Sequence, residues 1–480
     1  MKKLLCMLIA LIMVCSCFGC AQSEESQPAQ STQSTQSTQS EQAQLLVGYG
    51  RKDITPMDPV PLAGYGNSFN RISKGALDYL YVTCIAIADG DGNTVLLLSE
   101  DLLLPTFSPE ARKQISTATG LPLENIVQAS THTHSAPDQA STDPAIATWK
   151  VRYLSQCVKA AEEALADLSP AEISIGSTNV DGLNFVRHYL LNDGTYAGDN
   201  FGDWSSGIKD YADAKDPQMQ LIRFTRAAED KKDILMANWQ AHACVTGGNE
   251  KYDISADFIG STRAYVEQQA DVNFIYFSGA GGNMNSFSRI AADAPTKDNK
   301  EYGMQLGNCA LEAMKNMTPV QSGAVKVKIT PFVGQVDKTF QDKLTQAKEV
   351  VDLMEAAGQL AANAKAVEYG FSSCFHAQAV VRRSSMSDTQ TFDLCAISVG
   401  DISFVAAPYE MFAVHGMHIK ENSPFQSTFV LTCANAYVGY LPTNEAYDYG
   451  CYESHSGRYV RGTGDELAAA FVDALKELKQ

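Results

Sequence analysis

Residues 81–139 read YVTCIAIADGDGNTVLLLSEDLLLPTFSPEARKQISTATGLPLENIVQASTHTHSAPDQ, and their order decides the fold. The apolar runs YVTCIAIA and TVLLLS flank a Gly/Asp segment with the composition of a hairpin turn, so two paired strands are expected. SPEARKQISTATG reads as a helix with Ser108 as N-cap and Gly120 as its stop. Ile126 and Val127 open another strand, and a second helical stretch runs from near Ala145 to Leu168. Strand, helix, strand, helix is α/β ordering. The strand at Ile126 runs out into His132-Thr-His134-Ser135 just before Pro137, and loops at strand ends are where sites usually sit. Two imidazoles two residues apart share one face of a regular strand. Here the backbone is leaving the strand, so both arrangements stay open: two imidazoles on one ion, or one on a metal and one facing substrate.

Toward the N-terminus the chain begins MKKLLCMLIALIMVCSCFGCAQ. Lys2 and Lys3 precede an apolar stretch from Leu4 to about Val14, too short for a membrane span and flanked as a secretion signal. Gly19-Cys20 resembles the cleavage box of bacterial lipoproteins, with Cys20 lipidated, Cys17 an alternative, and plain secretion the runner-up. Residues 23–44, SEESQPAQSTQSTQSTQSEQAQ, have hardly an apolar side chain to offset ordering entropy and read as a flexible tether. The expected organisation is therefore a signal and lipobox at 1–20, a tether at 21–44, and a folded part at 45–480 held outside the cytoplasm at a membrane surface. Without the two leader lysines, 35 basic residues face 55 acidic ones, a balance of −20. With no basic patch, nucleic acid is excluded as a partner. The eight cysteines after the leader form no CxxC pair, and several lie in apolar runs. Buried free thiols are expected for most, and a four-cysteine zinc site is not.

Other chain segments repeat the pattern of a polar residue at a strand exit. ILMANWQAHACVTGG ends at His242, and ISFVAAPYEMF ends at Glu410 beside Met411 and Phe412. A carboxylate there costs several kcal/mol to bury unless it is paired or metal-bound; a glutamate turned to solvent is the competing reading. EISIGSTNVDGLNFVRHY places Arg187 in a loop too apolar for a plain exposed one. NFIYFSGAGGNMNSFS runs into the glycine-rich loop Gly279–Gly282, which brings backbone N–H groups close to a ligand but lacks the lysine of a P-loop. Two Gly-Tyr-Gly turns are expected around the proline-rich loop after Leu46, and ISADFIG opens a helix capped by Ser255 or Asp257. About Phe340 to Tyr369 is strongly helical, and GDELAAAFVDALKELKQ closes the chain as an amphipathic helix. Tyr437, Tyr440, Tyr447, Tyr449 and Tyr452 crowd one short span. In an α/β sheet the ligand crevice lies outside the carboxyl ends of the strands. Two imidazoles and a carboxylate match a catalytic zinc site with an open position, where zinc lowers the pKa of a bound water to roughly 7.

THTHSAP, NWQAH, the glycine-rich loop, APYEMF and NAYVGYLPTNEAYDYGCYE, together with GYGRKDITP and ISADFIG, resemble the neutral/alkaline (non-lysosomal) ceramidase family over nearly all of Leu45 to Tyr452. The resemblance implies a single large α/β catalytic domain with a mixed sheet, helices on its faces and the site at strand ends. It implies a zinc-dependent amidase that cleaves the N-acyl bond of ceramide, or of a related N-acylated lipid or amine, with zinc-activated water. His132, His242, Glu410 and Tyr440 are then the Zn2+ ligands, and His134, Tyr452 and Arg187 the catalytic groups. Gly282, Asn283 and Asn285 of the glycine-rich loop are expected to bind substrate. Tyr440 and Tyr452 keep the family's twelve-residue spacing. Two departures stand out. Asn285 occupies the family's serine position, with Ser286 one residue on, and the family's usual C-terminal immunoglobulin-like domain does not follow Tyr452. The alternative reading is a catalytically degenerate surface lipoprotein that binds a lipid or small amphiphile.

Overall fold

The first Gly-Tyr-Gly is not a turn. Gly48, Tyr49 and Gly50 lie inside strand β1 (Leu46–Asp53), which pairs antiparallel along its length with β2 (Tyr81–Ala88). A Cβ at Gly48 or Gly50 would overlap the carbonyl oxygens of Ala164 and Ala160. The glycines are there because a helix from a later part of the chain lies against the strand backbone, an approach only a residue without a side chain allows. This is a computed structural model, and it describes residues 44–65, 71–247, 250–290 and 298–480. The expected secretion signal, the lipidated cysteine and all but the last residue of the tether lie outside the described residues. Gln42–Gln480 clusters as one compact unit.

The large sheet continues with β3 (Thr94–Glu100), β4 (Ile126–Ser130), β5 (Ser169–Asn179), β6 (Gln218–Arg226), β7 (Asp233–Trp239), β8 (Val272–Ser278) and the short β9 (Thr318–Val320). Its order is β8-β7-β6-β5-β1-β2-β3-β4, with β9 alongside β5. A second sheet has the order β10 (Val325–Gln335), β11 (Thr389–Val399), β12 (Ile402–Ala406), β13 (Ser427–Leu431). Strand alternation decides what each face buries. Ile85 and Ile87 of β2 join Ile397, Phe404 and Phe429 of the small sheet in one core, while Val82, Cys84 and Ala86 face helices. Those helices are α1 (Ser108–Thr119) and α2 (Pro144–Ala166). On the other half of the sheet, α3 (Asp257–Gln269) and α4 (Asn299–Met314) bury Phe258, Leu306 and Ala310 against Leu235 and Phe274. The mixed α/β class expected from sequence is thus what forms, with one refinement: helices cover only the outer faces, because the inner face of the large sheet packs on a second sheet.

Between β10 and β11 the chain leaves for three helices, α5 (Leu344–Ala357), α6 (Gln359–Glu368) and α7 (Cys374–Ser384), which share a small core around Ala347, Phe371 and Val380. Then α8 (Ala413–Asn422) and the terminal α11 (Thr463–Lys479) cover the outer face of the small sheet; two short helices between them, α9 (Asn444–Tyr449) and α10 (Tyr452–Ser456), bear on the site.

One expected helix cap is corrected and another refined. The residue before α1 is Phe107, and Ser108 is its first helical residue. The Ser108 hydroxyl is directed at the fully buried Glu100, which Gln128, Ser130 and Tyr153 also supply with donors. Likewise α3 is preceded by Ala256. The Ser255 hydroxyl donates to Asp78, and the Asp257 carboxylate accepts from the Val245 and Thr246 N–H groups. At α1 the buried Glu100 thus takes the hydroxyl from the helix end, whereas at α3 Ser255 Oγ also accepts from the Asp257 N–H and Asp257 Oδ1 from the Phe258 N–H, so both still serve the helix start. All eight cysteines among the described residues are free thiols, six of them buried.

Candidate metal and catalytic site

Within the two sheets, three pairs of adjacent strands run parallel: β3 with β4, β7 with β8, and β12 with β13. A parallel pair needs a crossover, and α1, α3 and α8 supply it. The carboxyl ends of such strands open onto one crevice, and each unit delivers one polar side chain there. His132 follows β4, His242 follows β7, and Glu410 follows β12. The bridge between Thr133 and Ala243, with the His134 N–H donating to the Ala243 carbonyl at 2.9 Å, lays the two histidine loops side by side. Glu410 and Met411 pair in parallel with Tyr440 and Leu441, which sets Tyr440 beside Glu410. His132 has φ +68°, a left-handed backbone rare for a residue with a side chain. That turn ends the strand period and brings the rings of His132 and His134 edge to face at 5.2 Å.

The donor atoms converge. Nε2 of His132 lies 3.1 Å, and Nε2 of His242 3.3 Å, from Oε2 of Glu410. The donor nitrogens of His132, His134 and His242 are all within 4.8 Å of one another. Nδ1 of His132 contacts the Leu103 carbonyl at 2.8 Å, and Nδ1 of His242 contacts the Gly281 and Met284 carbonyls at 3.0 Å. A carbonyl accepts only, so each Nδ1 carries a proton and each Nε2 is the ring nitrogen turned to the carboxylate. Without an ion a proton on His132 pairs with the carboxylate, and a metal ion would take that proton's place. Both buried ring nitrogens of His134 have no hydrogen-bond partner. Glu410 itself is held in place through Oε1, which accepts from the Tyr437 hydroxyl at 2.7 Å. These residues fit a metal ion.

Electrostatics divides the histidines. Burial opposes charging His132, but the Glu410 carboxylate outweighs it and holds His132 well above the ordinary histidine range. Burial and then the Arg187 guanidinium lower His242 to about 4. Burial, reinforced by His132 and His242, keeps His134 well below the ordinary range, and it is neutral at pH 7. The Tyr452 phenol, pushed up to about 12 by burial and Glu410, keeps its proton.

Arg187 follows Phe185–Val186, a two-residue strand paired with Met284–Asn285. Its guanidinium is buried, with Nη1 3.1 Å from Nε2 of His242 and its face 5.5 Å from the Tyr440 ring centre. The opposite edge meets Glu453: Nε donates to Oε1 at 2.6 Å and Nη2 is in ion-pair contact with the same oxygen. Oε2 of Glu453 accepts from His188 at 2.8 Å. Beyond His188 stand the Tyr449 hydroxyl at 2.9 Å and Asp213 at 3.5 Å. Burial disfavours charge on His188, yet Glu453 prevails and raises it to about 9. His188, Cys451 and Glu453 also lie close enough to hold an ion, but His188 and Glu453 spend their donor atoms on each other, on Arg187 and on Tyr449.

A cavity of about 540 Å³ opens beside these groups, lined among others by His134, Arg187, His242, Tyr440, Tyr452 and Asn285. The structure therefore brings His132, His134, Arg187, His242, Glu410, Tyr440, Tyr452 and Asn285 together. Gly282 and Asn283, expected at the substrate, are turned into the fold. The Gly282 N–H donates to the Met411 carbonyl at 2.7 Å, and the fully buried Asn283 accepts from the Ala413 N–H. The glycine-rich loop packs directly against the backbone of Glu410 and Met411, too close at Gly282 for a side chain. Sequence reasoning missed Glu453, Tyr437 and Asp199, which holds the Asn285 amide at 3.1 Å on the cavity wall.

No curated protein is matched. Among solved structures, the chain is similar to one described as "Ceramidase complexed with C2" (TM-score 0.66, 19% identity, 91% of this chain and 75% of that chain). It is equally similar to the neutral ceramidase from Pseudomonas aeruginosa (TM-score 0.64, 18% identity, the same coverage). At these identities the likeness is one of fold. Residues 45–292 match the family described as "Neutral/alkaline non-lysosomal ceramidase, N-terminal", a stretch that includes both histidine loops. With more than half its length matched and its fold shared, the chain belongs to the neutral/alkaline non-lysosomal ceramidase family of hydrolases.

Proposed function

We propose that this chain is a zinc-dependent amidase that hydrolyses the N-acyl bond of ceramide or of a related N-acylated lipid or amine. One observation carries the reading: the buried Nε2 atoms of two histidines converge with Oε2 of Glu410 beside a cavity that also holds a neutral histidine, a phenol and a guanidinium. Family membership and a solved relative described as a ceramidase complexed with C2 support it. His132, His242, Glu410 and Tyr440 would hold the zinc, which when bound supplies a Lewis acid and lowers the pKa of water.

The chain's own groups supply the rest. Tyr452, protonated and lining the cavity, donates to the substrate's carbonyl oxygen as charge develops there, and Nη1 of Arg187 offers a second donor. His134, neutral and with unpartnered ring nitrogens, accepts a proton from the attacking water. It returns that proton to the amine nitrogen as the C–N bond breaks. The Tyr65 ring packs edge-on to His134 at 5.3 Å and Phe375 to Tyr452 at 5.7 Å, which fixes both rings and keeps bulk water from them. The leader and tether expected from the sequence support a place on the outer side of a cell membrane; among the described residues no helix is long and apolar enough to cross one.

The test is fatty-acid release from ceramide and N-acyl amines by the purified, zinc-loaded protein, beside His242→Ala. Near-stoichiometric zinc and turnover, both lost in the variant, are the expected result. Zinc binding without release of any acid from the whole panel would refute the amidase reading in favour of a binding lipoprotein.

A further inference from the structure

The groups that touch the cavity are held by one that does not. Glu453 is fully buried, and the cavity walls do not include it, whereas Arg187 and Tyr452 both line them. We propose that Glu453 is a positioning residue for the reaction: its carboxylate aims Nη1 of Arg187 at the His242 side of the cavity, where the substrate's carbonyl oxygen gains charge. This rests on the amide-hydrolysis reading above.

The geometry argues it in three steps. A guanidinium is a rigid planar fork, so fixing one edge fixes the direction of the other. Oε1 of Glu453 takes the Nε–Nη2 edge of Arg187, and the remaining Nη1 then points to Nε2 of His242, 3.1 Å away. Second, Arg187 has a rival carboxylate. Asp199 stands on the same cavity wall and attracts the guanidinium. Without Glu453, a buried cation turns toward Asp199 or Glu410, away from its present aim. Third, Glu453 is itself braced. Oε2 is held by His188, and His188 by Tyr449 and Asp213, so the carboxylate cannot rotate without breaking its contact to an imidazole that is itself fixed. Glu453 also follows Tyr452 directly in α10, and successive helical residues point about 100° apart. One short helix therefore presents the Tyr452 phenol to the cavity and the clamp to the interior.

The experiment uses the full chain as Glu453→Gln, Glu453→Asp, Arg187→Ala and the Glu453→Gln/Arg187→Ala double variant. Loss of an outer partner typically costs about 10- to 100-fold. For Glu453→Gln we expect kcat to fall about 30-fold, with KM and zinc content unchanged and partial recovery in Glu453→Asp. In the Arg187→Ala background the same change should do nothing further, because the clamp then has nothing to aim. Equal losses in both backgrounds, or loss of zinc, would show a merely structural role and overturn the proposal. Should Glu453→Gln fail to fold, His188→Gln, which frees only Oε2, gives the same comparison, and an unchanged kcat there overturns it too. Octanoate titrated by calorimetry separates this inference from the function it rests on. Octanoate affinity that depends on Glu453 only when Arg187 is present, in a protein that turns over no amide, sinks the amidase and leaves the positioning. Turnover with octanoate affinity and kcat indifferent to Glu453 sinks the positioning alone.

Discussion

Gly282→Ala tests whether the glycine-rich loop sets the metal site from behind. A Cβ there would stand 2.7 Å from the Glu410 carbonyl oxygen and 2.9 Å from its carbonyl carbon and the Met411 oxygen. Real Cβ contacts begin near 3.0 Å, so the Glu410 backbone must retreat by roughly 0.3 Å or more, against a tolerance of about 0.2 Å for a metal–ligand distance. Overpacking of this kind costs about 1–3 kcal/mol. A displaced ligand should also weaken the metal about 100-fold. Zinc present at 100 times its Kd stabilises the wild type by about 2.7 kcal/mol; after a 100-fold weakening the same zinc gives about 0.4, a further loss of about 2.3 kcal/mol. Chemical denaturation with and without zinc, and competition against a chelator, measure both terms. Gly281→Ala is the control, since its Cβ would meet only ordinary contacts at 3.5 Å or more. If Gly282→Ala matched that control in zinc affinity and in the zinc-dependent part of its stability, the reasoning would be wrong.

Three other outcomes are expected. His134→Ala should keep its zinc and lose turnover by about 10²- to 10⁴-fold, the range for a general acid–base; a metal analysis showing loss of zinc would move His134 into the ligand set. Tyr437→Phe removes the only donor to Oε1 of Glu410 among the described residues and should weaken zinc about 10-fold, read by the same chelator competition. His188 has its folded pKa raised to about 9 from an unfolded value of about 6.5. Its contribution to stability is therefore complete below pH ~6.5 and is lost as pH rises through about 9. The thermal-stability gap between wild type and His188→Gln should narrow over that window, and a gap that widened would contradict the pairing with Glu453.

What was legible in the sequence was whatever is written locally. Apolar runs ending at His132, His242 and Glu410 announce strands with polar exits, and the exits share one crevice because three βαβ units point the same way. Gly48 and Gly50 misled because turn composition is also close-approach composition, and the helix that demands them comes much later in the chain. Ser108 misled because its hydroxyl serves the buried carboxylate Glu100, a partner that only the fold brings near. Glu453 was invisible for the same reason. Its meaning depends on Arg187 and His188, from the other half of the chain, and a glutamate beside a tyrosine carries no local signal of burial.

The four ligand candidates, His132, His242, Glu410 and Tyr440, are separated by 110, 168 and 30 residues. Contacts that distant form late in folding, after long loops have closed, so an ion cannot template the early chain. Gripped by these four, it instead acts as a removable cross-link, tying the loops after the large sheet to those after the small one. Chelation should then be felt along the seam between the sheets, as faster proteolysis and amide exchange in both halves at once, and adding the ion back should restore them together.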